Sequence, residues 1–392
     1  MSDMTNRTAR GSAIPQGRPA AEAGCLAREG RPAWPDRRLT DLLQIEHPIV
    51  LAPMAGLGTV ELAAAVCMAG GLGSLGCAAM PPQIATQAIE KLRTLTRKPF
   101  NVNFFCHRQA PADPVRDNAW RDRLAPYYRE FGLDPSLPPP RMDFPPFNAA
   151  MCTVVEETRP EVVSFHFGLP EPSLLARVKA AGCRVISSAT TVQEARWLET
   201  HGADAVIAQG NEAGGHRGTF LAGDSGGETV PQPGTLALVP QVVDAVDVPV
   251  IAAGGIADAR GIAAAFALGA AGVQVGTAYL LCPEAATPPL YRDALRNAGA
   301  TVLTNVFTGR PARALVNRLT REAGPISGAT PEFPTAMPAL APLRARAEQQ
   351  GSTDFTGLWA GEAAILAKEI PGETLTRDLA ESALRRFRQL GA

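Results

Sequence analysis

The chain has 392 residues, of which 46% are hydrophobic and 19% charged, and its 37 Lys and Arg nearly balance 38 Asp and Glu for a formal net charge of -1. That length can bury a large core, and the charge balance gives no reason to expect nucleic acid or a charged membrane surface as a partner. Seven cysteines, scattered and without a C-x-x-C pair, argue against a disulfide framework or a zinc site and for reduced thiols in a cytosolic protein, so no metal is expected.

Residues 1–38 are rich in Arg, Ala, Gly and Pro, with neither an apolar h-region nor an amphipathic pattern. This composition predicts a disordered tail rather than a secretory signal. No run of about 18 apolar residues follows that would mark a membrane span. From Leu39 onward, short apolar runs alternate with longer helical patterns. The strand candidates are "PIVLA" (48–52), "LGSLG" (72–76), "FNVNFF" (100–105) and "EVVSFHF" (161–167), then "CRVISS" (183–188), "DAVIAQ" (204–209), "VPVIAA" (248–253) and "GVQVGT" (272–277). Their continuous rather than alternating apolar character suits parallel strands covered on both faces.

Between them lie helical patterns such as "PSLLARVKAAG", "TVQEARWLETHG" and "DARGIAAAFALGA", each ending in a glycine stop. Eight strands with helical connections predict a (β/α)8 TIM barrel, with a doubly wound open sheet as the alternative. The expected division is a tail (1–38), a barrel (39–320) and a helical C-terminal extension (321–392) packing on the barrel. A long Pro-rich insert after the third strand (106–147) is expected to act as a lid or substrate wall.

In such a barrel the chemistry gathers at the C-terminal strand ends, and phosphate sites are often built after strands seven and eight. Those ends read "AAGGIADARG" and "VQVGTAYL". Gly254 and Gly255 would bring backbone N–H groups close to an anion, the next helix would add its N-terminal dipole, and Gly276 with Thr277 would complete the cup. The plainer reading is that these glycines only allow tight turns. With no G-x-G-x-x-G or P-loop pattern, a mononucleotide-type cofactor is favoured over NAD or ATP. The first strand end, "APMAG" (52–56), would admit a flat ring close to the backbone, and Asn103 and Gln209 offer amides at two further ends. Buried amides there often serve only loop backbone.

Of five histidines, His47, His107 and His201 carry no functional signal, whereas His166 ends the fourth strand in "SFHFGLP" and could face the mouth. His216 lies in the glycine-rich loop "QGNEAGGHRGTF" after the sixth strand, where an imidazole can exchange protons with a substrate near neutral pH.

Taken together, "APMAG", "AGGLGSLG", "FNVNFF", "VVSFHFGLP", "QGNEAGGHRGTF", "IAAGGIADARG" and "GVQVGTAYL" resemble the nitronate monooxygenase family, formerly called 2-nitropropane dioxygenases. The resemblance spans roughly residues 45–320, with a weaker echo in "GLWAGE" (357–362). It implies a cytoplasmic, detoxifying FMN oxidoreductase that oxidises alkyl nitronates, propionate 3-nitronate being one candidate, with O2 to carbonyl compounds and nitrite or nitrate. It implies His216 as the catalytic residue, accepting the α-proton of a neutral nitroalkane or holding nitronate oxygens. Ala52, Pro53 and Met54 would lie along the flavin, with Asn103 and Gln209 bonding the ring or its chain. Gly214, Gly215, Gly254, Gly255, Gly276 and Thr277 would contact the FMN chain and phosphate. His166 and Arg217 are the candidate substrate contacts. The family commonly has Gln in a W-A-G-Q motif where this chain has Glu362, which puts a flavin contact from that segment in doubt.

Three rivals are weighed against this. An FMN-dependent, NADH-using enoyl-acyl-carrier-protein reductase shares the core and the "EAGGH" loop. The inosine monophosphate dehydrogenase type would need a cysteine between Gln209 and Phe220, and none is there. A non-catalytic flavin-binding barrel would have no use for His216. The partners expected are a small nitronate and O2, with association between copies of the chain left open.

Overall fold

The computed structural model describes residues 33–221 and 231–391. All eight apolar runs form strands: β1 (Ile49–Leu51), β2 (Gly73–Gly76), β3 (Phe100–Phe105), β4 (Val162–His166), β5 (Arg184–Ala189), β6 (Ala205–Gln209), β8 (Val250–Ala253) and β9 (Gly272–Val275). They pair in parallel in the order β1-β9-β8-β6-β5-β4-β3-β2. Two further bonds, Leu51 N to Leu72 O and Leu72 N to Ile49 O, each 2.9 Å, join β1 to the edge of β2. The sheet therefore closes into a barrel, and the open-sheet alternative falls. Among the described residues no helix is long and apolar enough to cross a membrane.

Closure rests on close helix–strand approach. At Gly73 a Cβ would stand 2.0 Å from the carbonyl of Ala63, so the helix Val60–Met68 sits directly on the strand backbone. The three helical patterns quoted above become Pro172–Ala180, Val192–Thr200 and Ala259–Ala267. At the opposite face, the short helix Arg38–Leu43 plugs the barrel bottom, where Leu39 and Leu43 pack with Val162, Ile186, Ala205 and Ile251. The mouth at the C-terminal strand ends is left as the place for a site.

Two expected boundaries move. The tail does not run to residue 38. Trp34 is buried, its ring 5.5 Å from Phe266 and 5.9 Å from Phe387, and it donates to His47 Nδ1 at 3.3 Å. Residues 1–32 lie outside the description, and the disorder expected for them with it. The division at residue 320 also separates parts that belong together. The helix Gly372–Leu390 lies between Val60–Met68 and Ala259–Ala267, burying Leu375, Leu379, Ala383 and Phe387 against Leu62, Val66 and Ile262. It occupies the place of the eighth barrel helix, and each large side chain contributes about 1.5–3 kcal/mol of burial.

What stands between β9 and that helix is a second layer over the mouth. Strands β10 (Thr301–Thr304) and β11 (Ala312–Leu315) form an antiparallel pair, to which the two-residue strand β7 (Gly215–His216) adds as an edge. The insert contributes the helix Pro114–Glu130, which packs Trp120, Leu124 and Tyr127 against Leu340 and Leu343 of the helix Met337–Gln349, beside Phe355. Insert and C-terminal segment thus share one small core and build one cap.

Candidate active site

A cavity of about 500 Å³ lies between the barrel mouth and the cap. It continues into a smaller one of about 80 Å³ at the ends of β8 and β9, with Ala52, Gln209, Gly214, Gln274, Gly276 and Thr277 lining both.

The smaller cavity is lined mostly by glycine and alanine. Gly254 and Gly255 take φ of 116° and 69°, a region that L side chains disfavour. Their chain turns into the N-terminus of the helix Ala259–Ala267, capped by Asp258. The C-terminal segment closes the other side, since Gly361 N donates to Thr277 Oγ1 at 3.0 Å, leaving that hydroxyl's own proton for another acceptor. A Cβ at Gly214 would come within 2.6 Å of Gly361 N, so the two loops meet over the cup only because both are bare. Gln274 Oε1 is buried at the junction of the two cavities with no protein partner. This is a fit for a flat, amide-bearing ring system with a phosphate at one end.

The larger cavity carries the histidines. His216 lies on β7, opposite Ala312 of β11, so the cap fixes its backbone. Its carbonyl accepts from Gln209 Nε2 at 2.9 Å and from His166 Nε2 at 3.1 Å. Because a carbonyl can only accept, His166 carries its proton on Nε2, and its Nδ1 takes a bond from Ser188 Oγ at 2.6 Å. Both ring nitrogens of His166 are therefore committed to protein groups. It lines the cavity, yet its polar atoms hold the loop. The His216 imidazole has Nε2 3.0 Å from Thr308 Oγ1 and lies among Phe105, Phe167, Phe333 and Trp359. Burial, reinforced by nearby cations, pushes both histidines down to about 3, so both are neutral at physiological pH.

Around them the walls are apolar, with Phe105, Phe144, Phe307, Met337 and Leu340, and Arg344 as the cation among the lining residues. Met142, Phe144 and Met337 also line a neighbouring chamber of about 390 Å³ beneath the insert helix. The insert thus supplies wall residues.

The residues singled out from sequence fall into three groups. Ala52, Pro53, Met54, Asn103, Gln209, Gly214, Gly215, Gly276, Thr277, His166 and His216 line the large cavity, while Gly254 and Gly255 line the cup. Within this set, Gln209 is spent on the loop: Nε2 serves the His216 carbonyl and Oε1 accepts from Gly218 N at 2.8 Å. Asn103 donates to Ser164 O at 3.2 Å and Ser164 Oγ at 2.9 Å. Arg217 does not join the site and must be corrected. It is 1% exposed and lines neither cavity, donating instead to the carbonyls of Gln209 (2.8 Å) and Gly210 (2.7 Å) and to Gln232 Oε1 (2.9 Å). A guanidinium with five donors is suited to tying strand end to loop, and β-strand alternation turns it away from the face His216 presents. Glu362 likewise has a local role, pairing with Arg313 at 3.1 Å while its N–H bonds Glu212 O at 3.0 Å.

Reasoning from sequence passed over Thr308, Phe333, Ser188 and Gln274. Thr308 lies past the eighth barrel strand in the part assigned to the barrel, and Phe333 in the C-terminal extension, neither of them at a strand end. Gln274 lies inside an apolar run, and its amide was the available signal.

A closed barrel with a glycine-lined cup and a buried neutral histidine at its C-terminal strand ends has the layout of a barrel enzyme. The model of the nitronate monooxygenase family matches residues 36–382, and the chain belongs to that family, whose members are in general flavin-dependent. It is 45% identical over 351 residues to a nitronate monooxygenase of Pseudomonas aeruginosa, covering 88% of this chain and 98% of that one. Among solved structures it resembles a nitroalkane oxidase from Streptomyces ansochromogenes, with a TM-score of 0.81, 39% identity and coverage of 90% and 99% of the two chains. Its likeness to FabK from Thermotoga maritima is lower, with a TM-score of 0.67 and 35% identity over 90% and 98%.

Proposed function

We propose that the chain binds FMN in the joined cavities and oxidises alkyl nitronates with O2 to carbonyl compounds and nitrite or nitrate. The observation that supports this reading is the continuity of the two cavities, since six residues line both, one cavity carrying Gly254 and Gly255 and the other the neutral His216 imidazole. FMN, when bound, supplies the electron-accepting and oxygen-reactive group. The chain's own residues do the rest. Gly254, Gly255, Gly276 and Thr277 would hold the phosphate, and Gln274 Oε1, bare in the protein, would accept from the ring or its chain. The strip Ala52–Pro53–Met54 gives the large cavity an apolar wall against which the ring can lie. The aromatic wall excludes water, and Arg344 draws an anion toward the mouth. His216, neutral because it is buried, can take a proton from carbon when the substrate arrives as a neutral nitroalkane. A nitronate has already lost that proton.

Anaerobic mixing of the purified yellow protein with a nitronate and, separately, with NADH tests the reading. Loss of the oxidised flavin spectrum with nitronate alone, and oxygen uptake when air is admitted, is the expected result. Bleaching by NADH with no response to nitronate would instead establish the enoyl reductase chemistry, and no response to either would favour a non-catalytic barrel.

A further inference from the structure

We infer that Thr308 is a positioning residue that fixes the tautomer of His216, keeping its proton on Nε2 and leaving Nδ1 as the proton-accepting atom. The inference rests on the direction of two hydrogen bonds. Thr308 Oγ1 donates to the carbonyl of Arg310 at 3.3 Å, and a hydroxyl has one proton to give. With the hydroxyl proton turned to the Arg310 carbonyl, the same oxygen accepts at its contact with His216 Nε2, 3.0 Å away, and the imidazole donates there. A neutral ring has one N–H, which leaves the lone pair on Nδ1.

The hydroxyl is held so that this direction persists. Thr308 is 5% exposed and sits in a tight turn closed by Gly309 N to Asn305 O at 2.8 Å. A Cβ at Gly309 would lie 2.1 Å from Pro331 O, so the turn is clamped against the following segment. The Arg310 carbonyl is held in turn, because its guanidinium lies 4.0 Å over the Phe167 ring and donates to Thr219 O.

This deepens the proposed function and rests on it for its chemical meaning. Of the two roles open to His216, an Nε2–H tautomer suits removing the α-proton of a neutral nitroalkane at Nδ1 and ill suits donating to nitronate oxygens from that atom. Neutral nitroalkanes accordingly enter the substrate class. The proton passes from carbon to Nδ1, the ring becomes an imidazolium that still donates to Thr308, and the electron pair stays on the nitronate.

The decisive measurement does not depend on turnover. In holoenzyme carrying nitrogen-15-labelled histidine, with His216→Asn used for assignment, the expected pattern is a protonated Nε2 and an unprotonated Nδ1 for His216 from about pH 5 to about pH 8. In Thr308→Val the two ring signals should move toward a tautomer mixture, and Thr308→Ser should restore them. In parallel, the ratio of neutral nitroalkane to nitronate turnover should fall about tenfold in the Val variant and return in the Ser variant, as partial loss of a general base predicts. A wild-type His216 protonated on Nδ1, or ring signals and a turnover ratio unmoved by Thr308→Val, overturns the inference. If the Val variant fails to fold, the wild-type and Ser signals still decide it. Expected ring signals in a protein that turns over neither substrate would sink the proposed function and leave the tautomer assignment standing.

Discussion

The two ends of the cavity are built on opposite principles. At the cup, the proposed binding depends on side chains that are missing: Gly254, Gly255, Gly276 and Gly361 line the space, and all but Gly361 follow closely on β8 and β9. At the histidine end, function depends on side chains brought from far apart. His216 from the loop after β6, His166 from β4, Thr308 and Phe333 from the cap and Trp359 beyond it converge within one cluster. The glycine positions of the cup can therefore be damaged only by adding atoms, and the histidine end by removing them. A phosphate needs N–H groups and room, which local turns supply; a poised imidazole needs partners on several sides, which only tertiary structure supplies.

Four experiments sharpen this contrast. The largest effect is expected from His216→Ala, which should slow neutral nitroalkane turnover by about 10² to 10⁴-fold while FMN stays bound. Loss of the flavin absorbance from that variant would mean the two ends are not separable. A second, smaller effect concerns stability and pH. His166 and His216 are held well below their ordinary value by burial, with Arg310 and other nearby basic groups adding to it. The unfolded chain therefore binds more protons below about pH 6.5, and stability lost on acidification should approach roughly 1.4 kcal/mol per pH unit for each histidine. Urea titrations between about pH 7 and about pH 5 should show that slope, and His216→Asn should reduce it.

Third comes the cup. Gly254→Ala forces a side chain to φ 116° with its Cβ 2.8 Å from Thr235 Oγ1. A strain of about 1–3 kcal/mol should loosen FMN by roughly tenfold to a hundredfold, read from flavin fluorescence released on dilution. The weakest effect is expected from Glu362→Gln. This removes a half-exposed partner of Arg313 and should change stability by less than about 1 kcal/mol and flavin binding not at all. A large loss of flavin there would place Glu362 in the cup after all.

The contrast also governs what could be read beforehand. The barrel was legible because each strand is a local apolar run, and the cup because glycines at two adjacent strand ends carry a conformational meaning of their own. The histidine end was legible only in part. His216 stands out in a glycine loop, yet nothing local distinguishes Arg217, which β-strand alternation turns away from its neighbour's face. Gln209 and Asn103 line the large cavity, but their partners are not legible in the sequence, since the loop carbonyl of His216 and the hydroxyl of Ser164 compete with any ligand for the same amides. Thr308 acts through a turn 92 residues away from its histidine, and no spacing rule reaches that far.

The helix Gly372–Leu390 has a consequence for how the molecule is made. It fills the gap between the first and seventh helices of the barrel, and the part of the cap that follows β9 lies in sequence between that strand and this helix. During synthesis the earlier barrel elements emerge with the apolar faces of Val60–Met68 and Ala259–Ala267 uncovered, and they stay so until the last helix docks. Closure of the ring therefore depends on contacts of high sequence separation, which make for a slow search. A chain cut short before that helix would leave Leu62, Val66 and Ile262 without the cover of Leu375, Leu379 and Phe387, an apolar seam of the kind that favours association between incompletely folded chains.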